Sequence, residues 1–404
     1  MGGPHVTGFL LRQKQACELD LAFHDVTLMR IFINALSARL GGGQTYLFNL
    51  LEYLPEEVND EIFVLAPPSF KLPSGRANIK RVHIKWPTEN PFLRAAWEKF
   101  CMPGLLRELS ADVLFCPGGI IGARAPHGCR TVTMFRNMIP FDPVQRSRYR
   151  PGYMRIRNWL LEKILLQSMI AADLVIFISE FAKQVIEKRA PGLIKHSVVI
   201  PHGISPQFRV AGMTDLPRPD WLPRQNYLLY VSTLDVYKSQ IEVVCGFALL
   251  KQSRKTSEKL VLAGPENPDY GRKVRAEVAR LQLQNDVIVA GPVPYHELPS
   301  VYGHALINIF ASQSENCPNI LLEALAAGRP VLSSDFPPMP EFGGNAVVYF
   351  DPGSPRDLAE KLASVIDNQE YMKMLSDKAR ERAAIYDWKN SAIATWNAII
   401  GLRL

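Results

Sequence analysis

Tyr227-Leu228-Leu229-Tyr230-Val231 is a five-residue apolar and aromatic run that stops at Ser232-Thr233. Helical spacing follows over Ser239–Leu250, and a second such run, Lys259–Ala263, comes next. Strand, helix and strand in this order form a parallel pair with a right-handed crossover, buried on both faces. Downstream the alternation predicts a helix over Tyr270–Leu283, a strand at Val287–Ala290, a helix at Glu297–Tyr302 and a strand at Leu306–Phe310. A helix over Asn319–Ala327, strands at Val331–Ser333 and Ala346–Tyr349, and helices over Leu358–Ile366, Tyr371–Ala384 and from Lys389 complete this half.

The upstream half repeats the scheme. Strands are predicted at Arg30–Asn34, Glu61–Leu65, Val82–Lys85, Asp112–Cys116, Thr131–Phe135, Asp173–Ile178 and Ser197–Ile200. Helices are predicted over Gln44–Leu54, Phe92–Leu109, Gly152–Ala171 and from Glu180. Between the halves, Arg209–Asn226 carries three prolines and no sustained period, as a linker does. The expected fold class is α/β, with two Rossmann-like, doubly wound domains facing each other across a cleft. Ligands of such sheets bind outside the carboxyl ends of the strands.

The bulk properties agree. A chain of 404 residues suits two domains, and 47% apolar with 21% charged residues is a globular composition. The longest apolar runs, such as Leu174–Ile178, are far below the roughly 18 residues of a membrane span. Six scattered cysteines form no C-x-x-C pair, which argues for a reducing compartment and against structural zinc. The net charge of +7 does not by itself select a partner. Residues 1–28, with a short Phe9-Leu10-Leu11 run cut off by Arg12, are expected to be a peripheral extension.

The chemistry concentrates in Ser314-Glu315-Asn316-Cys317-Pro318-Asn319-Ile320-Leu321-Leu322-Glu323, which runs on to Gly328-Arg329-Pro330-Val331. Pro318 and Asn319 open a helix, and Gly328 with Pro330 ends it. The free N–H groups and positive dipole end of such a helix suit a diphosphate. Carboxylates beside a phosphate site have sugar hydroxyls as their natural partners. The plain alternative is a surface turn followed by a helix with solvated glutamates.

Two glutamates eight residues apart, followed by Ala-Leu-Ala-Ala-Gly-Arg-Pro-Val, resemble the signature of glycosyltransferase family 4, retaining enzymes of the GT-B fold. Other segments resemble that family in the same order. They are Leu40-Gly41-Gly42-Gly43, Ile178-Ser179-Glu180, Val199-Ile200-Pro201-His202-Gly203-Ile204 and Tyr230-Val231-Ser232-Thr233-Leu234 with Lys238. Leu262-Ala263-Gly264-Pro265, Val289-Ala290-Gly291-Pro292-Val293 and Asp387-Trp388 continue the series, which runs from Met29 to the C-terminus.

The resemblance implies a domain at 29–208 for the acceptor, a linker at 209–226 and a domain at 227–386 for the nucleotide-sugar donor. A C-terminal helix at 387–404 would cross back to the first domain. It implies that Glu323 binds ribose, Glu315 contacts the transferred sugar, and Lys238 neutralises the departing diphosphate. Gly42 and Gly43 would bring backbone N–H groups to the phosphates. Thr233, Asn316, Cys317, Pro318, Asn319 and Ile320 would line the donor site, with Tyr295 flanking the base. Two departures stand out: Thr233 replaces a frequent arginine, and Arg136-Asn137 replace a frequent His-Asp pair. Arg136 and Asn137 are expected to take over contacts to phosphate or sugar.

No D-x-D motif stands at a strand end, so no metal and no cofactor are expected. The resemblance implies transfer of a hexose-type sugar to a glycan or lipid-linked acceptor, with retention, in cell-envelope polysaccharide synthesis. The expected place is the cytoplasm, peripheral at the inner face of the membrane. Arg146, Arg148, Arg150, Arg155 and Arg157, with Tyr149, Tyr153 and Trp159, form a basic aromatic stretch suited to anionic lipid. A second such stretch pairs Arg94, Lys99 and Arg107 with Trp97 and Phe100. Each stretch is alternatively a solvated helix face, and no recognition motif supports nucleic acid. His202 and His83 read as structural. A catalytically silent sugar-nucleotide-binding partner and a nucleotide-sugar 2-epimerase are the alternative functions. A nicotinamide dehydrogenase is disfavoured, because the glycine loop is not G-x-G-x-x-G.

Overall fold

The computed structural model describes residues 28–39, 41–148, 152–210, 216–254 and 256–403. The expected extension therefore lies almost wholly outside the described residues, as do Leu40, Tyr149 and Arg150.

The first half is a seven-stranded sheet of β1 (Arg30–Asn34), β2 (Glu61–Leu65), β3 (Ile79–Arg81), β4 (Val113–Cys116), β5 (Arg130–Phe135), β6 (Leu174–Phe177) and β7 (Ser197–Val199). Its helices are α1 (Gly42–Glu52), α2 (Pro91–Phe100), α3 (Met102–Glu108), α4 (Pro143–Arg148), α5 (Tyr153–Ala171), α6 (Glu180–Arg189) and α7 (Pro206–Val210). The second half is a six-stranded sheet of β8 (Tyr227–Val231), β9 (Lys259–Ala263), β10 (Val287–Gly291), β11 (Ile307–Phe310), β12 (Val331–Ser334) and β13 (Val348–Phe350). Around it lie α8 (Gln240–Ser253), α9 (Pro268–Arg280), α10 (Leu298–Gly303), α11 (Asn319–Ala326), α12 (Met339–Gly343), α13 (Pro355–Ile366), α14 (Gln369–Ala384) and α15 (Trp388–Ile400).

The spatial orders are 3-2-1-4-5-6-7 and 10-9-8-11-12-13, with every pairing parallel. Each order reverses at its first strand, β1 or β8. The crevices for ligands therefore open beside the carboxyl ends of β1 and β8. β4, β6, β8, β11 and β12 are buried along their whole length, and β4, β6 and β8 accordingly read as unbroken apolar runs.

Three local expectations needed correction. The helix predicted over Phe92–Leu109 is two helices, because the chain turns at Cys101 and Pro103 opens the second. The strand predicted at Val82–Lys85 lies three residues earlier. Its ladder with β2 ends at the Val82 N–H to Val64 carbonyl bond, 2.9 Å, and past Leu65 the neighbouring chain presents Pro67-Pro68, which cannot donate. Residues 143–148 and 339–343 are helical where no element was expected. At the end of the first half, Phe208 is fully buried against the rings of Tyr295 and Tyr302 in the second.

The C-terminal helix α15 returns to the first half. Trp396 donates through Nε1 to the Leu50 carbonyl at 2.8 Å, and Trp388, Ala392, Trp396 and Ile399 join the core under α1. The crossing is close. A Cβ on Gly203 would stand 2.1 Å from the Trp388 nitrogen, so only glycine fits there.

Candidate active site

The first half contributes the start of α1. Gly41 caps the helix, and Gly41, Gly42, Gln44 and Thr45 line a cavity between the halves. A Cβ on Gly42 would lie 3.5 Å from Arg136 Nη2, an ordinary contact, so this position is not closed by packing. Gly43 turns the other way, towards Ala38, and does not line the cavity. Arg136, at the end of β5, donates through Nη2 to the Gly42 carbonyl at 2.8 Å and lies over the Tyr46 ring. Burial lowers its pKa from the usual value. It braces the glycine loop from behind. Asn137 is exposed and stands away from the cavity lining.

The second half contributes four strand ends. Ser232-Thr233 follows β8, Gly264-Pro265 follows β9, Pro292-Val293 follows β10, and Glu315 with Cys317–Ile320 follows β11. Gly264 has φ of 143°, and a Cβ there would stand 2.2 Å from the Ser232 carbonyl oxygen. The two loops can meet only because that position is glycine. Glycine after a strand was the available sign, and the sequence reading did not give Gly264 a place in the site.

Lys238 closes a short 3-10 turn, Val236–Lys238, and is buried. Its Nζ pairs with Glu315 Oε1 and sits 5.0 Å and 5.4 Å from the ring centres of Tyr237 and Phe310. The Tyr230 hydroxyl donates to the Lys238 carbonyl at 2.7 Å and fixes the turn. Glu315 lines the cavity while Lys238 stands behind it. A buried ammonium held by one carboxylate is poised for a second anion.

Helix α11 starts at Asn319 after Pro318, and its amino end faces the cavity. Asn319 Oδ1 lies 3.2 Å from His202 Nδ1. Burial, and then the nearby Arg136 charge, push the His202 pKa down to about 3, so the ring is neutral between the Tyr46 and Trp388 rings. Burial raises the Cys317 thiol to about 12, which leaves no thiolate at neutral pH. Asn316 does not line the cavity. It donates to the Phe135 carbonyl at 3.0 Å and accepts from Ser179 Oγ at 3.1 Å, tying the two halves together.

Glu323 lies further along α11 and also lines the cavity. The Tyr295 hydroxyl donates to it at 3.3 Å and also lies 3.4 Å from Ser205 Oγ. Burial raises the Glu323 carboxyl to about 8, against the lowering effect of the hydrogen bond from Tyr295. The cavity between the two sheets measures about 630 Å³, within the usual range for small-molecule sites. It thus offers a helix start, a carboxylate paired with lysine and a protonated carboxyl along one wall. Among the described residues no group of three or more His, Cys, Asp or Glu side chains is placed to hold a metal ion.

Two parallel sheets whose switch points face one cavity define the GT-B class of sugar transferases. Residues 40–208 match the model for Glycosyltransferase Family 4, and residues 216–382 match that for Glycosyl transferases group 1. The chain belongs to glycosyltransferase family 4 and is a glycosyltransferase. It is 23% identical over 274 residues to O-antigen chain mannosyltransferase B of Escherichia coli, covering 67% of this chain and 70% of that one. Sucrose-phosphate synthase from Thermosynechococcus elongatus superimposes with a TM-score of 0.72 at 16% identity, over 93% of this chain and 99% of that one. Anabaena Alr3699/HepE in complex with UDP-glucose superimposes at 0.66 with 15% identity, over 93% and 100% of the two chains.

Proposed function

We propose that this enzyme moves a hexose from a nucleoside diphosphate sugar to a glycan or lipid-linked acceptor during cell-envelope polysaccharide synthesis, with retention and without a metal ion. The observation that carries this reading is that one cavity is lined by Glu315, paired behind it with Lys238, by the start of α11 and by Glu323 further along that helix. Diphosphate at the helix start places the sugar against Glu315 and the ribose against Glu323. Lys238 and the α11 dipole then neutralise the charge that develops on the departing diphosphate. Arg136 positions the glycine loop. The UDP-glucose held by the Anabaena neighbour and the O-antigen role of the Escherichia coli relative support the donor class and the pathway. Retention rests on the family resemblance.

Calorimetry with UDP, GDP, ADP and TDP, each with EDTA present, tests the donor and metal assignments. One diphosphate is expected to bind strongly and to do so unchanged by the chelator. Slow hydrolysis of the matching labelled nucleotide sugar without acceptor is expected as well. No binding by any of the four would remove the reading.

A peripheral position at the inner membrane face is part of the proposal, and α5 supports it. Tyr153, Ile156, Leu160 and Ile164 recur at three- and four-residue spacing and are all exposed, Tyr153 at 74% and Ile156 at 61%. Arg157 and Lys163 flank that stripe on opposite sides, while Asn158 faces inward and is buried. No helix among the described residues is long and apolar enough to cross a membrane. An apolar stripe between cations suits an anionic bilayer surface. The expected result is sedimentation with phosphatidylglycerol-containing vesicles but not with pure phosphatidylcholine. Ile156→Glu with Leu160→Glu should cut the bound fraction about tenfold. Unchanged sedimentation, or a dimer in light scattering that the double variant dissolves, would overturn this placement.

A further inference from the structure

Helix α6 of the first half begins where the two halves meet, and its first N–H groups have no acceptor within the helix. Ser179 caps it, accepting from the Ala182 N–H through Oγ at 3.1 Å. The two N–H groups before that one are met from the other half. Glu341, on α12, accepts from the Glu180 N–H through Oε1 at 2.8 Å and from the Phe181 N–H through Oε2 at 3.0 Å. Nothing in the sequence reading gave Glu341 a role.

We infer that Glu341 is a positioning residue for sugar transfer: by gripping the amino end of α6 it keeps Glu315 in register with the first half. The inference rests on the donor reading, since it takes Glu315 to face the sugar being transferred. Glu341 does not line the donor cavity, so its effect passes through α6. At the same helix end, Ser179 Oγ donates to Asn316 Oδ1 at 3.1 Å, and Asn316 is the residue after Glu315. Asn316 also donates to the Phe135 carbonyl at the end of β5, at 3.0 Å. The start of α6 is thus held by the second half from α12 and from the loop that carries Glu315.

A carboxylate suits this place. The first turn of α6 carries the positive end of the helix dipole, and a hydrogen bond to a carboxylate is roughly twice as strong as a neutral one. Burial raises the Glu341 pKa from its usual value and the Glu180 charge adds to the rise, while the two N–H bonds and the Arg382 charge oppose it. Glu341 is also held in place from behind. Arg382 of α14 donates through Nε to the Phe342 carbonyl at 2.7 Å and through Nη2 to the Glu341 carbonyl. The Phe342 and Tyr386 rings pack with centres 5.5 Å apart. An acceptor fixed in advance loses little freedom when the halves meet.

Glu341 is half-buried and Glu180 exposed, so water can replace either partner, and the clamp biases a population of registers without welding the halves. Another tie remains when Glu341 is lost: Arg148 donates to Gln313 Oε1 and to the Val236 carbonyl, the latter at 3.3 Å. Glu315, Glu323 and the start of α11 all belong to the second half, so binding of a nucleoside diphosphate depends little on the clamp. Transfer depends on it more, because a misplacement of about 1 Å between reacting groups costs up to about 10²-fold in rate.

The test compares Glu341→Ala and Glu341→Gln with wild type in the full chain. The probes are whichever of UDP, GDP, ADP and TDP wild type binds best and the matching nucleotide sugar. Glu341→Ala is expected to lower kcat for hydrolysis of that sugar nucleotide about tenfold, with the diphosphate Kd within about threefold of wild type. Glu341→Gln, which keeps one acceptor oxygen, should fall between the two. Hydrogen exchange at the Glu180 and Phe181 amides should quicken about tenfold in Glu341→Ala. A cap that serves only stability would lower Tm and leave kcat at saturating donor unchanged, and that result overturns the inference. So does a loss of diphosphate affinity as large as the loss of kcat, or unchanged exchange at the two amides. If Glu341→Ala does not fold, Glu341→Gln carries the same comparisons. Wild-type chain that neither binds a diphosphate nor hydrolyses its sugar is a separate outcome and would sink the donor reading instead.

Discussion

Replacing Lys238 with methionine is expected to lower turnover of the nucleotide sugar by about 10²–10³-fold, with KM changed only a few-fold. The ammonium is buried and already paired with Glu315, so it contributes little to holding a neutral part of the donor. Its charge matters most when the diphosphate departs and negative charge grows on the bridging oxygen. An interaction that strengthens only then lowers kcat and not ground-state binding. Glu315→Gln removes the other partner and should also reduce turnover more than affinity. The double variant should lose less than the product of the two single losses, because the pair acts as a unit. Thermal melts separate folding from chemistry. Each single variant leaves one buried charge without its partner, at a cost of about 3–5 kcal/mol, and the double variant should recover much of that. Additive kinetic losses, or a single variant with wild-type kcat, would show that the pair is not the electrostatic centre of the site.

The features legible in the sequence are those that short segments decide alone. Tyr227–Val231 is a central strand buried on both faces, and an unbroken apolar run of that length has few other uses. The helix after Pro318 starts at Asn319 and stops before Gly328, whose φ is 65°, so both of its signals are local backbone chemistry. The return of α15 to the first half follows from its apolar positions Trp388, Ala392, Trp396 and Ile399, which need a core to enter.

Contacts between distant segments were not legible. From sequence, Arg136 is expected to contact phosphate or sugar, and nothing there shows that its guanidinium donates to a carbonyl 94 residues away. Asn316 sits between two site residues in sequence, yet its amide points to Phe135 and Ser179 in the other half. A residue beside a ligand and a residue bracing the cleft look alike in a string. Only the crossing of the two halves distinguishes them. The grip of Glu341 on α6 has the same origin, since its partners lie 161 and 160 residues away.

Donor affinity should fall about tenfold for each pH unit below about pH 8 and be level above it. The cause is Glu323, whose carboxyl burial raises to about 8 in the empty cleft. At neutral pH that group is mostly protonated, whereas a ribose diol donating two hydrogen bonds is best met by the carboxylate. Binding therefore expels a proton, and acid opposes it. Glu323→Gln should bind about 10–100-fold more weakly above pH 8, through loss of charge-assisted bonds, and with a flat pH profile. Calorimetry in buffers of different ionisation enthalpy reads the proton directly: close to one released by wild type well below pH 8, none by the variant. Stability runs the other way. The native carboxyl titrates above its ordinary value of 4.5, so its stabilising effect is complete in acid and is lost as pH rises through about 8. The Tm of the empty enzyme should fall across that window relative to Glu323→Gln, and saturating nucleotide should flatten the fall by favouring the ionised group. A wild-type affinity that does not vary from pH 6 to 8 would mean that Glu323 keeps its proton when the donor binds, and that the ribose lies elsewhere.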